Sequence, residues 1–321
     1  MKNRIAVFAS LCALFCLIFA SPQVISCARD ALKLCAELIM PSLFPFFVLS
    51  ILLSKLGLPN LLGRLLAPAA SRLFGVSGAG ASALFVGLCG GYPMGAAYIA
   101  EMFGSGAIGK EEAERLLGFC NNSGPAFIVG AVGAGIFGSP SVGLALYGIH
   151  ILSAVLTGLL LRKKGSSPSA SVPAAEPLPF SAALPQAVRQ AVSAALSVCG
   201  FVVCFTVLAG LLDAVGWFSL LSGRLSALTG AELHFSRALL TGILELGSGV
   251  GTMRGLSVSP VNLALAAGML GWGGISVHFQ TLSLFCDTDV KSALHFAGRV
   301  LSAILSAVLA WLFASLFFCF S

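Results

Sequence analysis

Charged side chains are scarce in this sequence of 321 residues: only 9% are Asp, Glu, Lys or Arg, whereas 58% are apolar. A soluble domain carries about 25% charged residues, so this chain lacks the polar groups that a water-exposed surface requires. The composition excludes disorder, a collagen-like repeat, a secreted disulfide scaffold and a nucleic-acid-binding domain. The mean hydropathy of +1.00 agrees with this. The composition therefore predicts an integral membrane protein.

Alternating apolar and polar segments of about ten residues, which would indicate a membrane β-barrel, are also missing. Instead, the sequence has long stretches without a charged residue, and a spanning helix needs about 20 apolar residues. The stretches are Ile5–Ala28, Leu73–Ala100, Leu116–Leu161, Gly255–Phe285 and Val300–Ser321. The third has room for two membrane elements. The predicted fold class is all-α, a polytopic transmembrane helical protein.

Motifs for metal binding or catalysis are missing as well. The ten cysteines include no CxxC pair, and nine of them lie in or beside apolar segments, where cysteine behaves as a small hydrophobe. There is no HExxH and no Walker lysine, and the glycines of Gly247–Gly251 lack the strand–turn–helix context of a nucleotide loop. No spacing selects a serine and a histidine for proteolysis. We expect no enzyme, no metal and no cofactor.

The N-terminal region has the layout of a signal peptide, with a basic start followed by apolar residues 5–20. Because Ser21-Pro22 is a poor cleavage context, we expect an uncleaved first transmembrane helix. Residues 30–56 predict a helix that starts amphipathic and then enters the membrane. Leu58–Phe74 is typical of a helix lying in the interface. Lys110–Arg115 predicts the solvent-facing start of another helix.

Four apolar segments are interrupted by glycine, proline or small polar residues, which weaken a helix or remove a backbone donor. The interruptions are at Gly90–Pro93, Asn121–Pro125, Gly247–Gly251 and Gly271–Gly274. Irregular backbone persists in hydrocarbon only where protein or a water-filled cavity covers it. Interrupted helices in corresponding positions point to a transporter's binding site at the midplane, and close helix packing through small residues is the alternative.

A stretch with five prolines, residues 165–185, predicts a flexible linker between two related halves. Short matches recur in the same order on both sides of it, among them Gly63-Arg64-Leu65 with Gly223-Arg224-Leu225 and Leu152-Ser153-Ala154 with Leu301-Ser302-Ala303. They predict an internal repeat, which is inverted if each half crosses the membrane an odd number of times. The predicted domains are residues 1–28 (N-terminal transmembrane helix), 29–164 (first repeat), 165–185 (linker) and 186–321 (second repeat).

The first interruption of the long third stretch offers an anion site. A half-helix exposes backbone N–H groups at its N-terminus, and Asn121 or Ser123 is placed to cap the helix that starts near Pro125. A carboxylate would then be held by backbone donors, with Asn122 adding its amide. The alternative is an ordinary capped helix that binds no ligand.

In the second half, polar residues inside apolar segments are candidates by default. Glu245 and Ser248 lie at the third interruption, and Glu245 is placed either to take a coupling cation or proton (Na⁺ or H⁺) or to pair with Arg254 or Arg237. His278 and Gln280 follow the fourth interruption as hydrogen-bond donors to a ligand, although a lone histidine is more often a packing residue. His150 favours packing, and Glu101 favours the membrane interface.

The strings Gly90-Gly91-Tyr92-Pro93-Met94-Gly95-Ala96 and Cys120-Asn121-Asn122-Ser123-Gly124-Pro125, with the charged helix start between them, resemble the YlbJ family of sporulation integral membrane proteins. These carry the nucleoside-recognition "Gate" domain and are distantly similar to concentrative nucleoside transporters. The resemblance implies two repeats with re-entrant or broken helices, and it implies substrate-binding roles for Tyr92, Asn121, Asn122, Ser123 and Gly124.

The same resemblance implies a carrier that moves dipicolinic acid, a small aromatic dicarboxylate, across the outer forespore membrane. The expected partners are a small anionic substrate and the lipid bilayer, without nucleic acid, and a homo-oligomer is left open. Two alternatives stay open. One is a carrier of nucleosides or other metabolites, and the other is a sporulation membrane scaffold that transports nothing.

Overall fold

The structure is a computed structural model that describes residues 2–19, 21–163 and 176–317. Within these ranges all regular secondary structure is helical. The helices are α1 (Lys2–Phe19), α2 (Ser21–Leu34), π1 (Cys35–Ile39), α3 (Met40–Lys55), α4 (Leu58–Phe74), α5 (Gly78–Gly90), α6 (Met94–Gly104), α7 (Lys110–Phe119), π2 (Ala126–Ile136), α8 (Pro140–Leu160), α9 (Phe180–Ala214), α10 (Trp217–Thr229), α11 (Leu233–Leu244), α12 (Leu246–Gly251), α13 (Pro260–Trp272), α14 (Gly274–Ser283) and α15 (Ala293–Phe317). The predicted all-α fold class is confirmed.

Five helices or joined helices in the described ranges are long and apolar enough to cross a membrane. They are Pro22–Lys55, Pro140–Leu160, Phe180–Ala214, Pro260–Ser283 and Ala293–Phe317. A sixth span is possible if α4 and α5, which are bent by 94° at a short break, are taken together. The chain is therefore polytopic, as its charge-free stretches predict.

The same succession of elements occurs twice. A helix of more than 30 residues is followed by a shorter helix, a helix pair with a break, a second broken pair and a final span. The joined helix α2–π1–α3 opens the first series, which ends with α8, and α9 opens the second, which ends with α15. Left-handed glycines stand at matching places. Gly57 and Gly75 flank α4, and Gly216 and Gly230 flank α10, all with φ between 66° and 90°. A residue with a side chain rarely adopts that conformation. The inverted orientation of the halves stays a prediction.

Between the halves, residues 164–175 lie outside the described ranges, and so does most of the predicted linker. The described chain resumes at Glu176. Helix α9 begins at Phe180 and contains Pro185. The last residues of the segment predicted as linker are therefore helical in the structure.

Three of the four predicted interruptions coincide with breaks. Non-helical residues separate α5 from α6, α7 from π2, and α13 from α14. The third lies earlier than predicted. Gly247–Gly251 is helical in α12, and the break falls at Glu245, whose φ of −142° and ψ of 120° are extended. Glycines alone suggested the wrong position, because the carboxylate of Glu245 caps the following helix and lets those glycines stay helical.

The charged start of α7 is only partly solvent-facing, which corrects the prediction for Lys110–Arg115. Glu112 is 4% exposed and Arg115 is 6% exposed. The Glu112 carboxylate accepts a hydrogen bond from the backbone N–H of Ser77 at 2.6 Å, and Arg115 donates one to the carbonyl of Gly75 at 3.1 Å. The two side chains thus hold the bend between α4 and α5.

Candidate functional site

A cavity of about 50 Å³ lies where the breaks of both halves meet. Its wall combines the tip between α5 and α6, the break before π2 and the break before α12 with faces of π1, α3, α9 and α14. The lining residues are Ile39, Leu43, Tyr92, Ser123, Gly124, Phe127, Val198, Val202, Glu245, Leu246, Gly247, Val277 and Gln280. The wall is mainly apolar with a few polar groups, which is the usual composition of a small-molecule site.

The backbone at these breaks approaches closely. A Cβ atom on Gly91 would lie 2.8 Å from the nitrogen of Gly124, so the tip between α5 and α6 packs directly on the break before π2. In the second half, a Cβ atom on Gly274 would lie 2.9 Å from the nitrogen of Leu246. Only residues without a side chain allow this contact. The breaks therefore bring irregular backbone from all four segments to one place.

Five of the nine predicted site residues line this cavity: Tyr92, Ser123, Gly124, Glu245 and Gln280. The other four lie outside its lining and are bonded elsewhere. The structure thus brings candidates from both halves to one cavity, Tyr92, Ser123 and Gly124 from the first and Glu245 and Gln280 from the second.

Tyr92 connects the two halves. Its hydroxyl donates a hydrogen bond to the carbonyl of Leu270 at 3.2 Å and accepts one from Arg299 at 3.1 Å. Tyr92 lines the cavity and is 8% exposed. Tyr92 is therefore placed to transmit a change in the cavity to the second half.

The break before π2 is held by side chains that do not cap it. Neither Asn121 nor Ser123 caps the helix at Pro125, which corrects the expectation of side-chain capping. The Asn121 carbonyl accepts a hydrogen bond from Ala96 N at 3.3 Å, and its amide donates one to Thr281 Oγ1 at 2.8 Å. Asn121 therefore ties the break to α6 and α14.

Two further contacts fix this break. The amide of Asn122 donates a hydrogen bond to the Phe119 carbonyl at 2.8 Å, and the N–H of Ser123 donates one to His150 Nε2 at 3.1 Å. His150 is thus a structural partner of the break, in keeping with the packing role favoured from the sequence. Because the N–H of Ser123 is already bonded, it is not available to an anion in this state.

Glu245 caps α12. Its two carboxylate oxygens accept hydrogen bonds from the N–H groups of Gly247 at 2.9 Å and Ser248 at 2.5 Å. Of the two alternatives for Glu245, pairing with Arg237 does not occur, since Arg237 pairs with Asp213. The hydroxyl of Ser248 lies 2.8 Å from that of Thr206, and Ser248 is not among the lining residues. Glu245 is 2% exposed, so the cavity holds a carboxylate whose partners are backbone groups.

Gln280 offers an unused acceptor. It is 3% exposed, lines the cavity, and its Oε1 has no hydrogen-bond partner in the described structure. A buried polar atom without a partner costs free energy. A ligand with a donor group, or a water molecule, would satisfy it.

His278 forms a buried pair with His295. His278 Nδ1 lies 2.8 Å from His295 Nε2, and His295 Nδ1 lies 3.2 Å from the carbonyl of Leu117. Because a carbonyl only accepts, His295 carries a proton on Nδ1. With neutral rings, His278 donates from Nδ1 to Nε2 of His295, and Nε2 of His278 has no hydrogen-bond partner among the described residues. Trp272 packs edge-on against His278.

Sequence reasoning missed Arg299, which lies in α15 and is fully buried. It donates hydrogen bonds to Tyr92 Oη at 3.1 Å, to the Gly118 carbonyl at 3.0 Å and to Asn122 Oδ1 at 3.5 Å. The available signal was its position. An arginine directly before the charge-free stretch Val300–Ser321 falls inside a spanning helix that starts at Ala293, and intramembrane ionisable residues mark functional sites.

In the described part of the chain, no group of three or more His, Cys, Asp or Glu residues could hold a metal ion. The nine cysteines within it are free thiols. The polar side chains at the cavity are those of Tyr92, Ser123, Glu245 and Gln280.

No family model matches the sequence. The chain is 32% identical to the sporulation integral membrane protein YlbJ of Bacillus subtilis (strain 168) over an alignment of 332 positions. The alignment covers 95% of this chain and 81% of that protein. Identity and coverage at this level confirm the family to which the sequence motifs pointed.

Solved structures of CNTnw, a concentrative nucleoside transporter, have a similar fold. An inward-facing substrate-bound state has a TM-score of 0.54 at 15% identity, covering 98% of this chain and 84% of that chain. A variant in an intermediate state has a TM-score of 0.53 at 15% identity, covering 98% and 85%. At this identity the similarity concerns the fold alone. The relatives are membrane transporters or sporulation membrane proteins. The chain belongs to the family of the sporulation integral membrane protein YlbJ, and it is an integral membrane protein with the fold of the concentrative nucleoside transporters.

Proposed function

We propose that this protein carries a small organic anion across a membrane by alternating access, and that the anion is dipicolinic acid crossing the outer forespore membrane. The observation that carries the proposal is the cavity at the junction of the breaks, where Tyr92, Ser123, Glu245 and Gln280 interrupt an apolar wall. A transporter fold and a sporulation relative support the role and the cellular stage. The dicarboxylate itself comes from the family resemblance.

The size of the cavity bears on the mechanism. About 50 Å³ holds a few water molecules, whereas an apolar cavity that binds benzene measures about 150 Å³. A pyridine dicarboxylate is larger than benzene, so the space available in the described state is smaller than the substrate. Binding of the substrate then requires the tip between α5 and α6 and the breaks before π2 and α12 to move away from α9 and α3. Such movement between two states is what alternating access demands.

Coupling to an ion gradient, of Na⁺ or H⁺, is part of the proposal. Glu245 is the acidic group of the cavity, and its carboxylate is held by two backbone N–H groups. Cation or proton binding there would weaken those hydrogen bonds and loosen the start of α12. Ion binding would thereby be linked to movement of a segment that forms the cavity wall.

The test is uptake of labelled dipicolinate by proteoliposomes that contain the purified protein, compared with liposomes that contain none. Imposed sodium and proton gradients are applied in separate experiments, with nucleosides as competing solutes. We expect uptake that one gradient drives and that unlabelled dipicolinate suppresses. Uptake of nucleosides without dipicolinate would establish the metabolite carrier instead. Absence of uptake for every anion and nucleoside, from protein that is inserted and folded, would leave the scaffold as the function.

A further inference from the structure

We propose that Arg299 selects for the negative charge of the transported solute and acts on it through the hydroxyl of Tyr92. This inference rests on the proposed function and deepens it, since it assigns charge recognition to a residue outside the cavity lining. It also replaces the sequence-based expectation that helix N-termini supply the anion site.

The partners of Arg299 are all neutral. Its side chain is fully buried, and its hydrogen bonds go to a phenol, an amide oxygen and a backbone carbonyl. Its Nε has no hydrogen-bond partner among the described residues. The ion pairs Lys110–Asp289, Lys163–Glu111 and Arg237–Asp213 of the described ranges do not include this arginine. The guanidinium thus lacks a carboxylate.

The neighbouring groups do not balance the charge. Arginine stays protonated in proteins, and the His278–His295 pair in its vicinity supplies no negative charge, because an imidazole is either neutral or cationic. The buried carboxylate of Glu245 bonds to backbone N–H groups on another segment. A buried charge without a counter-ion is costly. In membrane proteins such a charge characteristically serves a ligand or an ion path.

Tyr92 links this charge to the cavity. An N–H of Arg299 bonds to the phenol oxygen, which polarises the O–H group and makes it a stronger donor. That O–H group currently donates to the Leu270 carbonyl over 3.2 Å, a long hydrogen bond. A carboxylate in the cavity is a stronger acceptor than a carbonyl. The phenol O–H group would then donate its hydrogen bond to the carboxylate instead of the Leu270 carbonyl. The carboxylate would also be attracted by the guanidinium of Arg299, which is bonded to the same phenol oxygen.

The first test compares binding of two ligands of one shape, dipicolinate and its uncharged diamide, to the purified full-length protein. Wild type should bind the dianion at least about tenfold more tightly, as expected of a hydrogen bond with ionic character. Arg299→Gln should abolish this preference, and Arg299→Lys, which keeps the charge, should retain part of it. Preference for the dianion that persists in Arg299→Gln overturns the inference.

A second test avoids removing the buried arginine. Asn122→Asp places a carboxylate next to the guanidinium, since Asn122 Oδ1 lies 3.5 Å from its Nη1. Asn122→Ala is the matched control, because it loses the same amide donor to the Phe119 carbonyl without adding charge. We expect the Asp variant to bind dipicolinate about tenfold more weakly than the Ala variant, with equal binding of the diamide. Equal dipicolinate binding by the two variants contradicts the inference.

Tyr92→Phe tests whether Arg299 acts on the solute through the hydroxyl of Tyr92. It keeps the ring in the cavity wall and removes the hydroxyl, so dipicolinate binding should fall while binding of the diamide falls less. An unchanged ratio overturns the role of the hydroxyl. If wild type neither binds nor transports dipicolinate, the proposed function fails together with this inference. If wild type binds it and the charge preference survives in Arg299→Gln and Asn122→Asp, only the assignment of Arg299 fails.

Discussion

Gly87 lies so close to Cys120 that a Cβ atom on Gly87 would stand 1.7 Å from the carbonyl oxygen of Cys120. Helix α5 therefore contacts the end of α7 backbone to backbone, immediately before the break at Asn121. In the second half Gly242 and Gly249 meet in the same way, because a Cβ atom on Gly249 would lie 2.2 Å from the Cα of Gly242. Small residues that let helices approach closely are a general feature of membrane interiors. Here they hold the cavity-forming segments against one another.

Gly87→Ala should destabilise the protein by about 3 kcal/mol, because the added methyl group meets backbone that cannot rotate away. Gly148→Ala is the matched control. This glycine lies in the middle of α8, and a Cβ atom there would have no neighbour within 4 Å. It should be neutral or stabilising by about 0.5 kcal/mol, since alanine favours helix over glycine. Thermal unfolding in detergent measures both. Equal unfolding temperatures for the two variants would show that the contact is not rigid.

Val198→Phe should stop uptake of the solute without preventing folding. Val198 lines the cavity from α9, and a phenylalanine there would occupy much of a space of about 50 Å³. Val192→Phe makes the same change six residues earlier on the same helix, where the side chain is 41% exposed. It should leave uptake near the wild-type level. Proteoliposome uptake at matched protein content gives the comparison. Normal uptake by Val198→Phe would place the substrate path outside this cavity.

Asp289→Asn tests the exposed polar end of α7. Lys110 Nζ lies 2.8 Å from Asp289 Oδ2, and this hydrogen bond lowers the pKa of Asp289 and raises the pKa of Lys110. A lowered carboxyl pKa contributes stability above the unfolded pKa, and the contribution disappears as the pH falls through the folded value. Wild type should be slightly more stable than Asp289→Asn at pH 7, and the difference should shrink as the pH falls below the ordinary aspartate pKa.

The control for this prediction is Asp287→Asn, which removes the same charge from the same loop at an exposed residue without an ion pair in the described structure. Unfolding temperatures are measured at pH 7 and near pH 3, about one unit below the ordinary aspartate pKa. High salt should shrink the difference at pH 7, because exposed pairs are screened. A difference that grew in acid would reverse the assigned sign.

Much of the fold follows from where charge is absent. The stretch Leu116–Leu161 predicts two membrane elements, and the structure places π2 and α8 there. The interface helix predicted for Leu58–Phe74 has the bounds of α4. These features depend on local composition, so a single sequence contains the information.

The position of the third break illustrates what composition misses. Glycine content placed it at Gly247–Gly251, whereas one acidic side chain moves it to Glu245 by capping the next helix. Cap formation depends on side-chain geometry that competes with glycine flexibility. The charge deep in an apolar segment singled out Glu245, and of the two roles left open for it, pairing with Arg237 is not what the structure shows.

The contacts of Arg299 could not be predicted from the sequence, for a different reason. Its partner Tyr92 is 207 positions away in sequence, and Gly118 and Asn122 are about 180 away. Contacts over such separations depend on how the two halves pack, which no local pattern encodes. In the sequence, Arg299 directly precedes the charge-free stretch Val300–Ser321, so it was taken as the boundary of that stretch. In the structure, α15 begins six residues earlier, and Arg299 lies inside the helix.

Glu245→Gln separates the structural role of this carboxylate from its role in coupling. Glutamine keeps one acceptor oxygen, so one of the N–H groups of Gly247 and Ser248 loses its partner, and the cap should weaken by about 1 kcal/mol. Because glutamine binds neither a proton nor a cation strongly, uptake should no longer respond to the driving gradient. Glu101→Gln makes the same change at an exposed acid on α6 and should keep the response. A gradient response that survives in Glu245→Gln would move the coupling site elsewhere, whereas a lost response with the helix cap only slightly weakened would assign it to this carboxylate.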